Sequence, residues 1–272
     1  MIVNIAGYRF VNIDNPEDMK IKFLNKCLDL DLKGTIYFSN NGINFFIAGV
    51  QDFIDEYLQF MELDERLAGI SLKISYTEYQ PFRRMIVKKK KEIISLGMEE
   101  VRPVEHTSPS INPKELKKWL DEERDILLLD TRNDYELRIG TFENAVDLNI
   151  KTFREFPTAI ENLKVDKTKP VVMFCTGGIR CEKASVVMEN QGWKNVFQLN
   201  GGVLNYFEEV GGKYWNGDCF VFDQRVALNP ELEETEIEMC FICREPLSKE
   251  EQKSKDYKIM EYCPYCINKN KK

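Results

Sequence analysis

The run with the most chemical content begins where an apolar stretch, ValValMetPhe at 171–174, meets Cys175-Thr176-Gly177-Gly178-Ile179-Arg180 and then Cys181. A strand that ends in a cysteine, turns through two glycines and enters a helix wraps backbone N–H groups around the sulfur. The positive end of the helix adds to that field. Such settings lower a thiol pKa from about 8.5 to roughly 3.5–7.5, so the chemistry expected of Cys175 is that of a thiolate nucleophile. Arg180 supplies a further positive charge, and glycines at 177 and 178 permit close approach of the backbone. Thr176, Gly177, Gly178 and Ile179 are then the residues expected to line whatever binds at the sulfur. No histidine base is required. The alternative is a buried structural cysteine at a strand end.

A second group is Cys240-x-x-Cys243 and Cys263-x-x-Cys266, separated by nineteen residues. Each pair can grip one metal ion from a tight turn, and four thiolates make a tetrahedral zinc site of the ribbon or knuckle kind. Pro246 and Pro264 suit such turns. Four free thiols in a loose tail, or an iron–sulfur cluster, are the alternatives. The cysteine loop gives a further constraint. It runs six residues from Cys175 through Arg180, one fewer than the cradle of cysteine-type phosphatases. The tighter loop suits a persulfide sulfur or small adduct better than a tetrahedral phosphate.

Counting excludes several chemistries. Among 272 residues there is one histidine, His106, so no two-histidine metal site forms within one chain. This removes the iron(II) facial triad and His-Glu-x-x-His zinc proteases. Eight cysteines with two Cys-x-x-Cys pairs read as metal and thiol chemistry in a reducing cytoplasm, not a disulfide scaffold. Apolar runs are strand-sized, so no membrane partner is expected, and the N-terminus shows no secretory pattern. A net charge of −7 argues against non-specific coating of nucleic acid, while leaving room for a local basic groove.

The elements that position these residues fall into three parts. Residues 1–95 read as β-α-β-β-α-β, a ferredoxin-like, acylphosphatase-like α+β sandwich. Strands are expected at 2–11, 35–39, 43–48 and 72–76, with an AsnGly turn at 41–42. One helix opens at Asn15-Pro16 and buries Met19, Phe23, Leu24, Cys27 and Leu28. The other, 52–62, turns Phe53, Ile54, Tyr57, Leu58 and Met61 inward. A linker at 96–113 follows. Residues 114–218 alternate helices with apolar strands at 126–129, 145–148, 171–174 and 196–199, the pattern of a doubly wound parallel α/β sheet. A helix from Asn112-Pro113 turns Leu116, Trp119 and Leu120 inward. Another, from about Cys181 or Glu182, buries Ala184, Val187 and Met188. Residues 219–272 form the cysteine-rich tail.

Between 82 and 102 there are seven Lys or Arg against three Glu. Arg83, Arg84, Lys88, Lys89 and Lys90 suit contact with nucleic-acid phosphates, and equally suit an edge strand protected by lysines. Tyr8, Tyr37, Phe45 and Phe46 are base-stacking candidates or core residues. Asp130, Arg132 and Glu136 lie at a strand end on the same sheet as Cys175, as part of the crevice or as an ion-pair network that fixes the loop. His106 is expected to be exposed.

Several of these segments together resemble one family. DTRNDYE (130–136), GTFENAV (140–146) and the cysteine loop look like a rhodanese domain. CTGGIRCEKAS (175–185), KGTIYFSNNGIN (33–44), QPFRRM (80–85), FREFP (153–157), LNGGVLNYFEE (199–209) and CFVFDQRVA (219–227) resemble the bacterial rhodanese-like tRNA uridine hydroxylases. The likeness spans nearly the whole chain. Phe45-Phe46 and the short linker depart from the pattern, and neither touches the cysteine loop. The resemblance implies oxygen-dependent 5-hydroxylation of the wobble uridine, with tRNA as partner, oxygen as co-substrate and Cys175 as the covalent or persulfide site. It also matches Cys181 to a second cysteine, which could resolve an oxidised Cys175 as a disulfide or simply fill the first helical turn. The rivals are a sulfurtransferase that takes sulfur from a donor protein and passes it on from Cys175, and a non-enzymatic binder whose zinc tail recruits a partner.

Overall fold

The computed structural model describes residues 1–268; the last four residues of the cysteine-rich tail expected at 219–272 lie outside the described residues. The chain forms two compact units. One consists of Met1–Pro109 with Ile179–Gly192, the other of Ser110–Gly178 with the chain from Trp193 onward.

In the first unit the order is β1 (Ile2–Phe10), α1 (Pro16–Asp29), β2 (Lys33–Ser39), β3 (Gly42–Gly49), α2 (Gln51–Glu62), β4 (Leu72–Thr77) and β5 (Met85–Lys89). The sheet order is β4-β1-β3-β2-β5, with β5 parallel to β2 and the other pairs antiparallel. Alternate residues Val3, Ile5, Ile36, Phe38, Ile43, Phe45 and Ile47 meet Met19, Phe23, Cys27, Ile54, Tyr57 and Met61 in one core. Phe45 is thus a core residue, whereas Tyr8, Tyr37 and Phe46 are half-buried on the opposite face.

Three expectations shift here. Leu28 and Phe53 are exposed, because each falls one residue off the i, i+3/4 stripe set by Phe23 and Cys27 or by Ile54, Tyr57 and Met61. The hairpin turn is Asn40-Asn41, since Ser39 pairs with Gly42. The basic run contains a fifth strand: Val87 is buried while Lys88 and Lys89 are exposed along the sheet edge. That is the placement expected of edge-protecting lysines.

In the second unit come β6 (Ser110–Ile111), α3 (Pro113–Asp121), β7 (Leu127–Asp130), α4 (Asp134–Leu137), β8 (Gly140–Phe142), α5 (Phe156–Glu161) and β9 (Val171–Phe174). The helix α6 (Ile179–Asn190) packs within the first unit. The second unit resumes with β10 (Val196–Leu199), α7 (Gly202–Val210), β11 (Trp215–Gly217), β12 (Cys219–Phe220), β13 (Ala227–Leu228), β14 (Glu238–Met239), β15 (Pro246–Leu247) and α8 (Lys249–Gln252). Its main sheet, β6-β10-β9-β7, is parallel throughout. Four buried residues in a row in β7 and in β9 fit a sheet covered on both faces. Asn112 caps α3 by accepting from the Glu115 N–H at 2.8 Å, and Pro113 follows at its first position.

The strand expected at 145–148 is reduced to one bridge between Val146 and Leu129. Asp147 accepts the Asn149 N–H at 2.6 Å, and Asn149 takes a φ of 51°, so a turn competes with the strand. The short β6 lies in the stretch read as linker; it is anchored by buried Ile111, and two residues show no periodicity. Among the described residues no helix is long and apolar enough to cross a membrane.

Candidate functional site

The carboxyl ends of β7, β9 and β10 bring three connections together: Asp130 onward, Cys175 onward and Asn200 onward. Ligands of open parallel sheets bind at such ends. Cys175 follows Phe174 directly and is fully buried. Gly178 turns the chain with a φ of 99°, a conformation open to glycine, and its N–H donates to Cys175 Sγ at 3.1 Å. A Cβ added at Gly177 would meet nothing within 4 Å, so the chain leaves open space beside that residue.

The helix begins at Ile179, two to three residues earlier than the pattern suggests, because the chain enters α6 straight after the Gly178 turn. Arg180 and Cys181 therefore occupy its first turn, and both are buried. Ala184, Val187 and Met188 are buried as expected. Within the first unit, α6 is held by its other side chains. Lys183 Nζ pairs with Glu92 Oε2 at 2.5 Å, almost wholly out of solvent. The Tyr8 hydroxyl donates to Glu182 at 3.1 Å, and the exposed His106 meets Glu189 at 2.6 Å. Burial would raise the Glu92 pKa, but the hydrogen bond from Lys183 and the N–H groups of Leu96 and Gly97 outweigh it and hold the carboxyl below its ordinary value.

Asp130 and Arg132 form a buried ion pair, and the buried Glu136 carboxylate lies close enough to act on the Arg132 charge. Asp130 takes the Arg132 Nη2 at 2.6 Å, its Nε at 2.9 Å and its backbone N–H at 3.0 Å, with Thr141 Oγ1 at 2.8 Å. Arg132 Nη2 also donates to Gly140 O at 2.7 Å. Burial works against the charge on Arg132, yet Asp130 raises its pKa further above an already high value. Glu136 accepts the Asn133 N–H at 3.1 Å and faces the Thr176 hydroxyl at 3.4 Å. That hydroxyl also lies 3.3 Å from Phe220 O, so the β12 segment supports the cysteine loop.

Cys219 adjoins this network and was not singled out from the sequence. Burial pushes its thiol up to about 12, despite the lowering influence of Arg132. Cys27, in the first unit's core, is likewise pushed up to about 12 by burial. Gly202 was also missed as a site residue, although the paired glycines at 201–202 in LNGGVLNYFEE were visible.

The four tail cysteines converge, with all four Sγ atoms within 4.8 Å of one another. Cys243–Cys263, Cys263–Cys266 and Cys240–Cys266 lie 3.4, 3.7 and 4.0 Å apart. Four sulfurs at about 2.3 Å from one ion stand roughly 3.8 Å apart, so the donor set and spacing fit a tetrahedral metal site. The Cys263 N–H donates to Cys266 Sγ at 3.2 Å, and the N–H groups of Ile242 and Cys243 point back at the Cys240 sulfur, as in a knuckle turn. Arg138 ties this tail to α4, pairing with Glu245 at 2.5 Å and lying over the Tyr265 ring at 4.0 Å.

Arg83, Arg84, Lys88, Lys89 and Lys90 are all exposed, and Lys90 Nζ stands 5.3 Å from the Tyr37 ring centre. Tyr37, Tyr8 and Phe46 share the sheet face opposite α1 and α2 with Lys33 and Lys88.

Comparisons with known proteins agree across the chain. Residues 2–93 match the family described as UPF0176 acylphosphatase like domain, and residues 112–209 match the rhodanese-like domain. A tRNA uridine(34) hydroxylase of Cupriavidus pinatubonensis is 47% identical over 99% of this chain and 98% of that protein. Its namesake in Cupriavidus necator is 48% identical over 98% of this chain and 96% of that protein. The protein of the same name in Ralstonia nicotianae is 46% identical over 98% of this chain and 97% of its own length. Among solved structures, the rhodanese-like domain of an Anabaena protein aligns with a TM-score of 0.34 at 19% identity, over 40% of this chain and 80% of that one.

Proposed function

This chain belongs to the tRNA uridine(34) hydroxylase family, and we propose that it hydroxylates C5 of the wobble uridine in tRNA, using molecular oxygen and the Cys175 thiolate. The near full-length similarity to proteins of that name carries the reading. The Gly178 N–H directed at Cys175 Sγ supports the chemistry.

The thiolate adds to C6 of the uracil ring, forming an S–C6 bond and leaving C5 as an electron-rich enolate carbon. Oxygen adds at C5 as a peroxide; two electrons and two protons from the reductant break its O–O bond, leaving a C5 hydroxyl and releasing water. The C5 proton is then lost and the S–C6 bond breaks, which restores the aromatic-like ring and the thiolate. Overall, uridine, one O2, two electrons and two protons give 5-hydroxyuridine and water. The two electrons come from an external reductant. Because Cys175 is fully buried, a base reaches it only when its cover gives way. A persulfide on Cys175, loaded by a sulfur donor protein, would add to C6 in the same way. Cys181 serves in this reading to resolve a sulfenic acid on Cys175, condensing with it to a disulfide and releasing water, and Arg180 to reinforce the positive field. Thr176, Gly177, Gly178 and Ile179 contact the base.

The tail holds one zinc ion through Cys240, Cys243, Cys263 and Cys266. Zinc there supplies folding energy and no reaction step. The tRNA is approached through Arg83, Arg84, Lys88, Lys89 and Lys90, on a protein that acts in the cytoplasm. Replacing Lys88, Lys89 and Lys90 together by Gln should weaken tRNA binding and flatten its salt dependence by about one log–log unit per lost phosphate contact. Unchanged binding would leave those lysines as edge protection alone.

The full chain tests the reading directly. Purified protein, an electron donor and unmodified tRNA under 18O-labelled oxygen should yield labelled 5-hydroxyuridine. Unlabelled or absent product, alongside rapid thiosulfate turnover, would instead establish the sulfurtransferase.

A further inference from the structure

Three consecutive carbonyls around the nucleophile are pinned by donors outside the loop. Phe174 O accepts the Thr131 N–H at 3.0 Å and the Thr131 hydroxyl at 2.9 Å. Cys175 O accepts the Val203 N–H at 2.9 Å, and Thr176 O accepts the Leu204 N–H at 3.1 Å. Val203 and Leu204 lie in the first turn of α7, where N–H groups have no partner inside the helix. The cysteine loop and α7 therefore satisfy one another's backbone groups.

The consequence follows from peptide geometry. In a trans peptide the N–H points opposite to the C=O. Pinning the carbonyls of Cys175 and Thr176 on α7 turns the N–H groups of Thr176 and Gly177 away from that helix. It also prevents either carbonyl from swinging its negative end toward the sulfur. In this conformation the Gly178 N–H reaches Sγ at 3.1 Å.

The grip depends on Gly202. A Cβ there would lie 2.3 Å from Cys175 O, 2.7 Å from Thr176 O and 2.8 Å from Gly178 N. These are backbone atoms of the loop, so no side chain can swing aside to make room. Gly202 also has a φ of 66°, which disfavours a Cβ independently of crowding.

We propose that Gly202 is a positioning residue for Cys175: its missing Cβ lets the first turn of α7 hold the carbonyls of Cys175 and Thr176, and that hold fixes the loop in the conformation that presents the Gly178 N–H to the sulfur. Fixed dipoles of this kind stabilise charge without reorganising when it forms. The inference rests on Cys175 acting as a thiolate in the proposed reaction, and it is read without tRNA. Failure of tRNA hydroxylation would leave it standing, and its own failure would leave hydroxylation standing.

The test is the pH dependence of Cys175 alkylation by iodoacetamide in the full-length, metal-loaded protein, followed by peptide mass spectrometry. The midpoint, unlike the absolute rate, is insensitive to how easily the reagent reaches the sulfur. Gly202→Ala should raise the midpoint by about one unit, a roughly tenfold loss of thiolate at acid pH. Gly192→Ala is the control for backbone strain alone, since Gly192 has a φ of 93° and nothing within 4 Å of an added Cβ. It should lower thermal stability and leave the midpoint in place. Val203→Pro removes the donor to Cys175 O and puts the proline ring in the path of that bond, so the carbonyl must leave α7. It should raise the midpoint in the same direction, and it decides the matter if Gly202→Ala does not fold. An unmoved midpoint in a folded Gly202→Ala or Val203→Pro protein would overturn the proposal, as would an equal shift in Gly192→Ala.

Discussion

Asp130 and Arg132 make a sharp test of what holds the site together. Both side chains are fully buried, and their closest contact is 2.6 Å. Asp125 and Lys169 make a pair of nearly the same length, 2.5 Å, with the Asp125 side chain 90% exposed. Geometry alone would rank the two alike; burial separates them. Asp125→Ala removes an interaction that water already screens and should cost under about 1 kcal/mol. Asp130→Ala strands a buried guanidinium and also leaves Thr141 and the Arg132 N–H without their acceptor. Breaking a buried pair from one side typically costs about 3–5 kcal/mol. At about 2–4 °C per kcal/mol for a unit of this size, the melting point should fall by roughly 6–20 °C. All three tryptophans, Trp119, Trp193 and Trp215, lie in the second unit. Urea unfolding followed by tryptophan fluorescence therefore reports on the unit that contains the pair. The double replacement Asp130→Leu with Arg132→Met should recover part of the loss, because neither position then holds an unpaired charge, while the buried Glu136 loses its positive neighbour. If Asp130→Ala lost no more stability than Asp125→Ala, the view that this network fixes the loop would be wrong.

Cys175 should react with iodoacetamide at pH 6 far faster than Cys27 or Cys219, whose thiols burial pushes up to about 12; equal rates at all three would remove the basis of the site. The purified protein should carry one zinc per chain, and Cys240→Ala or Cys263→Ala should release it while the first unit keeps its melting behaviour. Elemental analysis with calorimetry checks this, and an ordered tail in metal-free protein would contradict it. Glu92 is held below its ordinary pKa, so its pairing with Lys183 stabilises the fold above the usual carboxylate range, and that contribution fades as pH falls through the lowered value. The stability gap between the parent and Glu92→Gln should accordingly be full at neutral pH and shrink in acid; a gap that widened in acid would refute the assigned direction.

Much of this architecture was legible because strong local patterns coincided with tertiary roles. The apolar runs 126–129 and 171–174 lack alternation, the mark of buried parallel strands, and β7 and β9 are fully buried. The two Cys-x-x-Cys pairs pointed to a cluster, and their sulfurs converge. What the sequence hid was set by contacts distant along the chain. Leu28 and Phe53 are apolar enough for a core but fall beside the stripe that meets the sheet. The β5 strand was masked by its lysines, which suit solvent and an edge equally. Gly202 lies far along the chain from the carbonyls it touches, and no local signal connects them. Cys219 was one of eight cysteines with no spacing to mark it. Only the fold places it beside Arg132.

If Cys175 drives hydroxylation of the wobble uridine, its loss must remove the product from tRNA. The most direct measurement is nucleoside mass spectrometry of tRNA from cells lacking the gene, complemented with the parent chain or with Cys175→Ser. The account predicts that 5-hydroxyuridine and nucleosides built on it disappear in the deletion, return with the parent and stay absent with Cys175→Ser, while that variant accumulates to normal levels with a nearly unchanged melting temperature. Full restoration by Cys175→Ser would contradict the account.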